Sequence, residues 1–267
     1  MISDGYTALA IALDGHVATV TIARPDQRNA IDRDTHAELE RVWVDLAANR
    51  EVRAIVLTGA GDCFSTGGDI VAMAERAGTE RAFTHALGIG PSTRRLFTNI
   101  LATPQPIVAA INGHATGLGA TLALFADLCV ISETARFGDT HVNVGLVAGD
   151  GGAVIWPLLV GANKAKEMLM LARLITGREA QALGLAAEAV PAGEVLARAQ
   201  SLAAELAAKP PLAVQWTKLA INRGIQAQMD LVLDASLAWE MLSMASDDHR
   251  EATQAIVEKR QPKFTGR

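Results

Sequence analysis

Two stretches of this chain run from a buried strand through a glycine-rich loop into a helix. The first is Ala54-Ile55-Val56-Leu57-Thr58 with its loop from Gly59 to Asp69. The second is Ile107-Val108-Ala109-Ala110-Ile111, which leads through Asn112-Gly113-His114-Ala115-Thr116-Gly117-Leu118-Gly119 into a helix over Ala120 to Ala126. Backbone N–H groups at a helix start lack an intrahelical partner. Two such starts side by side offer two donors to one oxygen, which is an oxyanion hole, and losing one donor typically costs about 3 kcal/mol of barrier. Taken singly, each loop also reads as a tight strand-to-helix turn. Their recurrence on consecutive strands is what points to chemistry.

A third stretch, Phe137-Gly138-Asp139-Thr140-His141-Val142-Asn143-Val144-Gly145-Leu146, holds a histidine, and Asp150 follows between Gly149 and Gly151. The glycines let the chain fold back, so that Asp150 can orient the imidazole. A His–Asp pair makes a general base poised near neutral pH. The competing expectation is that Asp150 caps the helix containing Ile155 and Trp156. Asp139 is given no role. His114 is expected as a solvated loop histidine, and His16, His36, His85 and His249 as structural ones.

The elements around these groups follow from pattern. Ala8 to Leu13 and His16 to Ala23 form a hairpin about Asp14-Gly15. A helix begins at Thr35, capped by Asp34 or Thr35, with Leu39, Val42, Trp43 and Leu46 on one face. Another spans about Arg81 to Leu101 and ends before Pro104 and Pro106. Leu128 to Ile131 is a strand. Beyond Gly161 helices start near Asn163, Arg178, Glu194, Leu212, Gln228 and His249, and Leu196, Ala199, Ala203 and Leu206 share a face. Strands joined by helical crossovers are parallel. Their C-terminal ends then share the sheet edge where ligands bind. The expected class is α/β, with a core over 1–190 and a helical C-terminal region over 191–267 whose apolar faces need a partner.

Composition narrows the function. The chain has 267 residues and a formal net charge of -5. That acidic balance, without a Lys/Arg run, gives no reason to expect nucleic acid. Cys63 and Cys129 are expected as reduced, buried thiols. The N-terminal stretch has no basic n-region, and no apolar run approaches the ~18 residues of a membrane span; no membrane is expected, and a cytoplasmic location is. Signatures for nicotinamide binding, P-loop ATP chemistry, zinc proteolysis and serine hydrolysis are absent. No metal and no separate cofactor are expected.

Several motifs resemble the crotonase (enoyl-CoA hydratase/isomerase) superfamily. Phe64-Ser65-Thr66-Gly67-Gly68-Asp69-Ile70 is similar to its F-x-x-G-x-D-[IL] segment, and residues 112–119 to its N-G-x-A-x-G-x-G loop. Arg24-Pro25 with Arg28-Asn29-Ala30, Thr176-Gly177-Arg178 with Ala182-Leu183-Gly184-Leu185, and Val257-Glu258-Lys259-Arg260 with Phe264 resemble further family segments in the right order. The resemblance implies a spiral of ββα turns with a helical C-terminal trimerisation region, and a homotrimer or homohexamer. It assigns the oxyanion donors to the N–H groups of Gly68 and Leu118. It lines a coenzyme A groove with Arg28, Ala30, Thr66, Gly67, Asp69 and Ile70, the coenzyme being part of the substrate. The two glutamates that deliver water in typical hydratases fall at Thr121 and His141. The stretch from His141 to Gly151 instead resembles oxocamphor hydrolase, which cleaves a carbon–carbon bond between two carbonyls with His and Asp. Three activities are therefore expected in order: an acyl-CoA hydratase or isomerase using His141–Asp150, a C–C hydrolase of a β-diketone, and a non-catalytic or RNA-binding member.

Overall fold

The computed structural model describes residues 5–267, apart from the side chains of residues 81 and 83. Residues 1–4, the start of the stretch read above for a leader, lie outside the described residues. The hairpin is present as β1 (Leu9–Asp14) and β2 (Val17–Ile22), paired antiparallel. Helix α1 (Arg33–Ala48) follows and starts earlier than expected, capped by Asp32, whose Oδ1 accepts from Thr35 N at 2.9 Å. Next come β3 (Ala54–Gly59), β4 (Cys63–Ser65), α2 (Ile70–Arg76) and α3 (Glu80–Ala102). After them run β5 (Ile107–Ile111), β6 (His114–Thr116), α4 (Leu118–Leu124), β7 (Leu128–Ser132) and β8 (Phe137–Gly138). The remaining elements are α5 (Gly152–Val160), α6 (Ala162–Met170), α7 (Gly177–Ala182), β9 (Glu188–Val190), α8 (Val195–Ala207), α9 (Pro211–Met244) and α10 (Asp247–Val257).

The main sheet has the order β1-β2-β3-β5-β7-β9 and is parallel from β2 onward. Its central strands are buried on both faces, which is why they read as unbroken apolar runs. Alternate residues go to opposite sides. Ile55, Leu57, Ile107, Ala109 and Ile131 join the core formed with Leu39, Val42, Trp43, Leu96 and Phe97. Ala54, Val56, Val108, Ala110 and Val130 meet Val195, Ala199 and Ala203 of α8. Helix α8 therefore lies on the sheet itself, although it follows the expected 190/191 boundary. Of its expected apolar face, Leu196 is exposed and Val195 takes the buried position.

The expected helix starts at Leu212 and Gln228 are one helix, α9, of 34 residues. Two buried polar side chains tie it to the core. Lys218 Nζ reaches Asp127 Oδ2 at 2.8 Å and the Gln105 carbonyl at 2.8 Å, and Asn222 donates to the Leu101 carbonyl at 2.9 Å. No helix among the described residues is long and apolar enough to cross a membrane.

The loops expected after β3 and β5 each contain a short strand. Together with β8 these make a second parallel sheet, β4-β6-β8. Two asparagine side chains fix it. Asn29 donates to the carbonyls of Ala60 and Cys63 at 2.9 and 2.7 Å, and Asn112 to those of Gly59 and Gly61 at 3.0 and 2.9 Å. Each amide ties a carbonyl at a strand end to one in the connecting loop, so the side chains fix the turn between β3 and β4.

Candidate active site

The second sheet brings the two glycine loops together. Gly67 has φ +78, a backbone that favours glycine, and a Cβ there would lie 3.0 Å from Leu118 N. Its N–H is consumed by Ser65 Oγ at 3.1 Å, and its carbonyl accepts from Ile31 N at 2.8 Å. Gly68 N and Leu118 N, by contrast, donate to no described residue. Leu118 is the first residue of α4, where no intrahelical acceptor exists. So both expected donors stand unspent on adjoining loops.

The residues expected along the coenzyme groove gather on one seam. Ile31 pairs with Gly68, and Thr66 N donates to the Arg28 carbonyl at 3.2 Å. Arg28 is exposed, with Ala30 buried beside it. Three of these residues also have side chains that serve the fold, the first being Thr66, whose Oγ1 donates to the Arg28 carbonyl at 3.4 Å. Asp69 Oδ1 caps α2 by accepting from Ala72 N at 3.0 Å, and Ile70 packs on the cluster of Ala86, Val144, Leu146 and Met244.

His141 begins a 3-10 turn, His141–Val144, and is buried. A Cβ on Gly117 would lie 3.7 Å from its Cε1, so the ring borders the Leu118 donor. Asp150 Oδ2 is 3.1 Å from His141 Nε2, and Asp150 Oδ1 is 3.4 Å from Thr121 Oγ1. Helix α5 has Gly151 as its N-cap residue with no side-chain cap, so Asp150 does not cap it. Thr121 also back-bonds to the Gly117 carbonyl at 3.4 Å.

One expectation needs correction. The second ring nitrogen was to face the substrate, but Nδ1 is taken by Asp139 Oδ1 at 2.7 Å. Asp139, given no role from sequence, is wholly buried and also accepts from His141 N at 3.0 Å. A Cβ on Gly152 would lie 2.6 Å from Asp139 Oδ2, so only glycine leaves room there. Burial alone would lower the His141 pKa, but the carboxylates of Asp139 and Asp150 outweigh it and hold the ring well above its ordinary value. Two carboxylates therefore favour the protonated ring more strongly than the single aspartate of the expected pair would. Asp139, His141 and Asp150 each present a ligand atom within 4.8 Å of the others, and these side chains are engaged with one another.

Glu240, on α9, was missed from sequence altogether. It is buried, its Oε2 has no hydrogen-bond partner among the described residues, and a Cβ on Gly149 would meet that oxygen at 2.8 Å. Burial first, then the charges of Asp150 and Asp139, push its carboxyl up to about 8 against the partial relief from His141. Glu240 therefore favours its protonated form beside the Asp139–His141–Asp150 array. Ninety residues separate it from Asp150, and within an amphipathic helix it reads as one more polar letter.

A family model for enoyl-CoA hydratase/isomerase matches residues 13–267. The chain belongs to the enoyl-CoA hydratase/isomerase family. A Thermus thermophilus protein assigned by name to the enoyl-CoA hydratases is 40% identical over 257 residues, covering 94% of this chain and 98% of its own. The short-chain-enoyl-CoA hydratase of Clostridium acetobutylicum is 35% identical, covering 92% and 93%. A crystal structure of an enoyl-CoA hydratase/isomerase from Mycobacterium paratuberculosis superposes with a TM-score of 0.88 at 34% identity, covering 94% and 99%. The expected crotonase-type α/β fold is met. Within this enoyl-CoA hydratase/isomerase chain His114 is structural: its Nδ1 accepts from Arg136 N at 2.9 Å. His249 is also structural, with Nδ1 2.7 Å from the Val144 carbonyl.

Proposed function

We propose that this protein acts on an acyl-CoA thioester, holding its enolate between the N–H groups of Gly68 and Leu118 and moving protons with Asp150 and Glu240, while His141 positions Asp150. The observation that carries the reading is the pair of unspent N–H donors beside the Asp139–His141–Asp150 array. The family and its similarly sized relatives support the substrate class. Coenzyme A enters as part of the substrate, along the seam of Arg28, Ala30, Thr66, Gly67, Asp69 and Ile70.

In this reading the triad works as a charge-balanced unit. Asp139 favours the protonated form of His141, and the ring's Nε2 holds Asp150 Oδ2 in place at 3.1 Å. Asp150 takes a proton from water as the oxygen bonds to C3 of the enoyl group. The π electrons move to the thioester carbonyl, and its oxyanion rests on Gly68 and Leu118. Glu240 then gives its proton to the α-carbon, and the proton on Asp150 returns through solvent to reset the pair. A carboxyl pushed up to about 8 suits Glu240 to act as the acid opposite Asp150.

A second reading is favoured by one feature. Neither Thr121 nor His141 is a glutamate, and the His141–Asp150 contact of 3.1 Å matches the arrangement expected from the resemblance to oxocamphor hydrolase. There, water attacks one carbonyl of a β-diketone, the bond between the carbonyls breaks, and the departing enolate takes a proton at carbon. One assay separates the readings: crotonyl-CoA hydration beside cleavage of a cyclic β-diketone without coenzyme A. Hydration is expected; diketone cleavage alone overturns the primary reading. Assembly as a trimer or pair of trimers is proposed with it, supported by exposed Met170, Leu171, Trp216 and Leu231. A monodisperse monomer in light scattering at micromolar concentration would refute that assembly.

A further inference from the structure

The chain just after the Ile31–Gly68 pairing carries an imidazole that the proposed mechanism does not use. His36 lies at the start of α1, five residues after Ile31, which pairs with Gly68 of the oxyanion loop. Its Nδ1 is 3.1 Å from Ser92 Oγ on α3, and Ser92 donates to Glu40 Oε2 at 3.0 Å. Glu40 is also bound by Arg95 and is an ion-paired carboxylate that can only accept. Ser92 therefore spends its one proton on Glu40 and must accept from His36. That fixes the proton of a neutral His36 on Nδ1 and leaves Nε2 with a bare lone pair.

Helix α3 carries the same arrangement towards the triad. Phe97, five residues after Ser92, lies 3.2 Å from where a Cβ on Gly151 would be. Burial lowers the His36 pKa, opposed by Glu40 and Asp150 and assisted by Arg95. His36 is thus neutral at neutral pH and close enough to Asp150 to feel its charge. Nε2 meets no hydrogen-bond donor among the described residues and is not sealed in the core.

We propose that His36 is a specificity-determining residue whose Nε2 accepts a hydrogen bond from an O–H on the acyl portion of the substrate. The preferred substrate would then carry a hydroxyl or enol where a plain fatty acyl chain offers only C–H. This rests on the acyl-CoA reading above. Two designs of site differ here: an apolar pocket barely distinguishes a chain from its hydroxylated analogue, whereas a pocket with a polar group awaiting a partner penalises the analogue lacking it.

The test is calorimetric binding of 2-oxopentyl thioethers of coenzyme A, which have no thioester to cleave. One probe lacks a hydroxyl, and the others carry one hydroxyl at successive chain carbons. At least one hydroxylated probe should bind about tenfold more tightly than the plain one, the equivalent of one good hydrogen bond. His36→Leu should bring that ratio to about one, and Ser92→Ala, which frees the ring, should lower it. A histidine that merely supports α1 would change both affinities together and leave the ratio alone. Equal binding of all probes to the native protein, or an unchanged ratio in His36→Leu, overturns the proposal while the acyl-CoA reading stands. Failure of every probe to bind overturns that reading, and this inference with it.

Discussion

Replacing Glu240 with glutamine keeps the shape of the side chain and removes its proton equilibrium. In the folded protein burial, and then the charge of Asp150, push this carboxyl up to about 8. In the unfolded chain a glutamate ionises near 4.3. Between those values the folded state holds one proton more than the unfolded state. Stability then falls as pH rises, by up to about 1.4 kcal/mol per pH unit. The sign is that of a raised carboxyl: no penalty below the unfolded value, and the full penalty once pH has risen through about 8. From pH 5.5 to 7.5 the loss is roughly 2.7 kcal/mol. A glutamine side chain does not titrate, so Glu240→Gln should lose less stability over that window and gain on the native protein by nearly this amount. Urea unfolding at pH 5.5, 6.5 and 7.5 measures it, because a change in midpoint at constant m reports stability directly. The raised His141 lends stability that is present below its unfolded value and lost as pH rises through its folded value, and it does so in both proteins. Parallel stability curves would show that Glu240 is already ionised in the folded state. The proton assigned to the α-carbon would then need another source. Turnover gives an independent reading: glutamine can donate a hydrogen bond but no proton, so kcat should drop by about 10²-fold or more.

Three further outcomes follow from the same geometry. His141→Ala and Asp150→Asn should each depress kcat strongly, and the double variant should lose little more than either alone, as steady-state kinetics on all three will record. Gly68→Pro removes one oxyanion donor and should cut turnover by about 10²-fold or more; near-native kcat in a folded variant would end the oxyanion assignment. Lys218→Met strips Asp127 of its buried cation and should destabilise the fold by about 3–5 kcal/mol, read as a lowered urea midpoint.

Sequence periodicity captured the elements whose environment repeats along the chain. The apolar face Leu39, Val42, Trp43 and Leu46 is wholly buried, and strands β3 and β5 pair in parallel as their apolar runs require. Short strands escaped it: β4 and β6 have three residues each, too few for a period to emerge, and their existence depends on the side chains of Asn29 and Asn112. Glycine-rich motifs located the two loops because a close backbone approach leaves few residue choices. The same logic runs through Gly149 and Gly152, which read from sequence only as freedom for Asp150 to turn inward. In the fold they are clearances, one for the Glu240 carboxyl and one for Asp139.

The charge state of the site was the part least legible in sequence, because it depends on distances between segments far apart in the chain. A histidine with one aspartate is a base near neutrality; the same ring between two buried carboxylates is held well above its ordinary pKa. In the proposed mechanism that difference gives the proton-accepting role to Asp150 rather than His141. It also explains why an acid on α9 can stay protonated. Glu240 is buried, and Asp150 and Asp139 act against its ionisation while His141 relieves it only in part. A glutamate opposite a neutral pair would feel one carboxylate fewer against it once the imidazolium charge is counted. The balance that makes Asp150 a base therefore also makes Glu240 an acid, and removing Asp139 should disturb that balance although it touches neither. Asp139→Asn removes the carboxylate that acts most strongly to raise His141, so it should lower the His141 pKa and shift the pH–rate profile, while its two effects on Glu240 oppose each other. An unchanged pH–rate profile in Asp139→Asn would show that Asp139 does not set the charge of the ring.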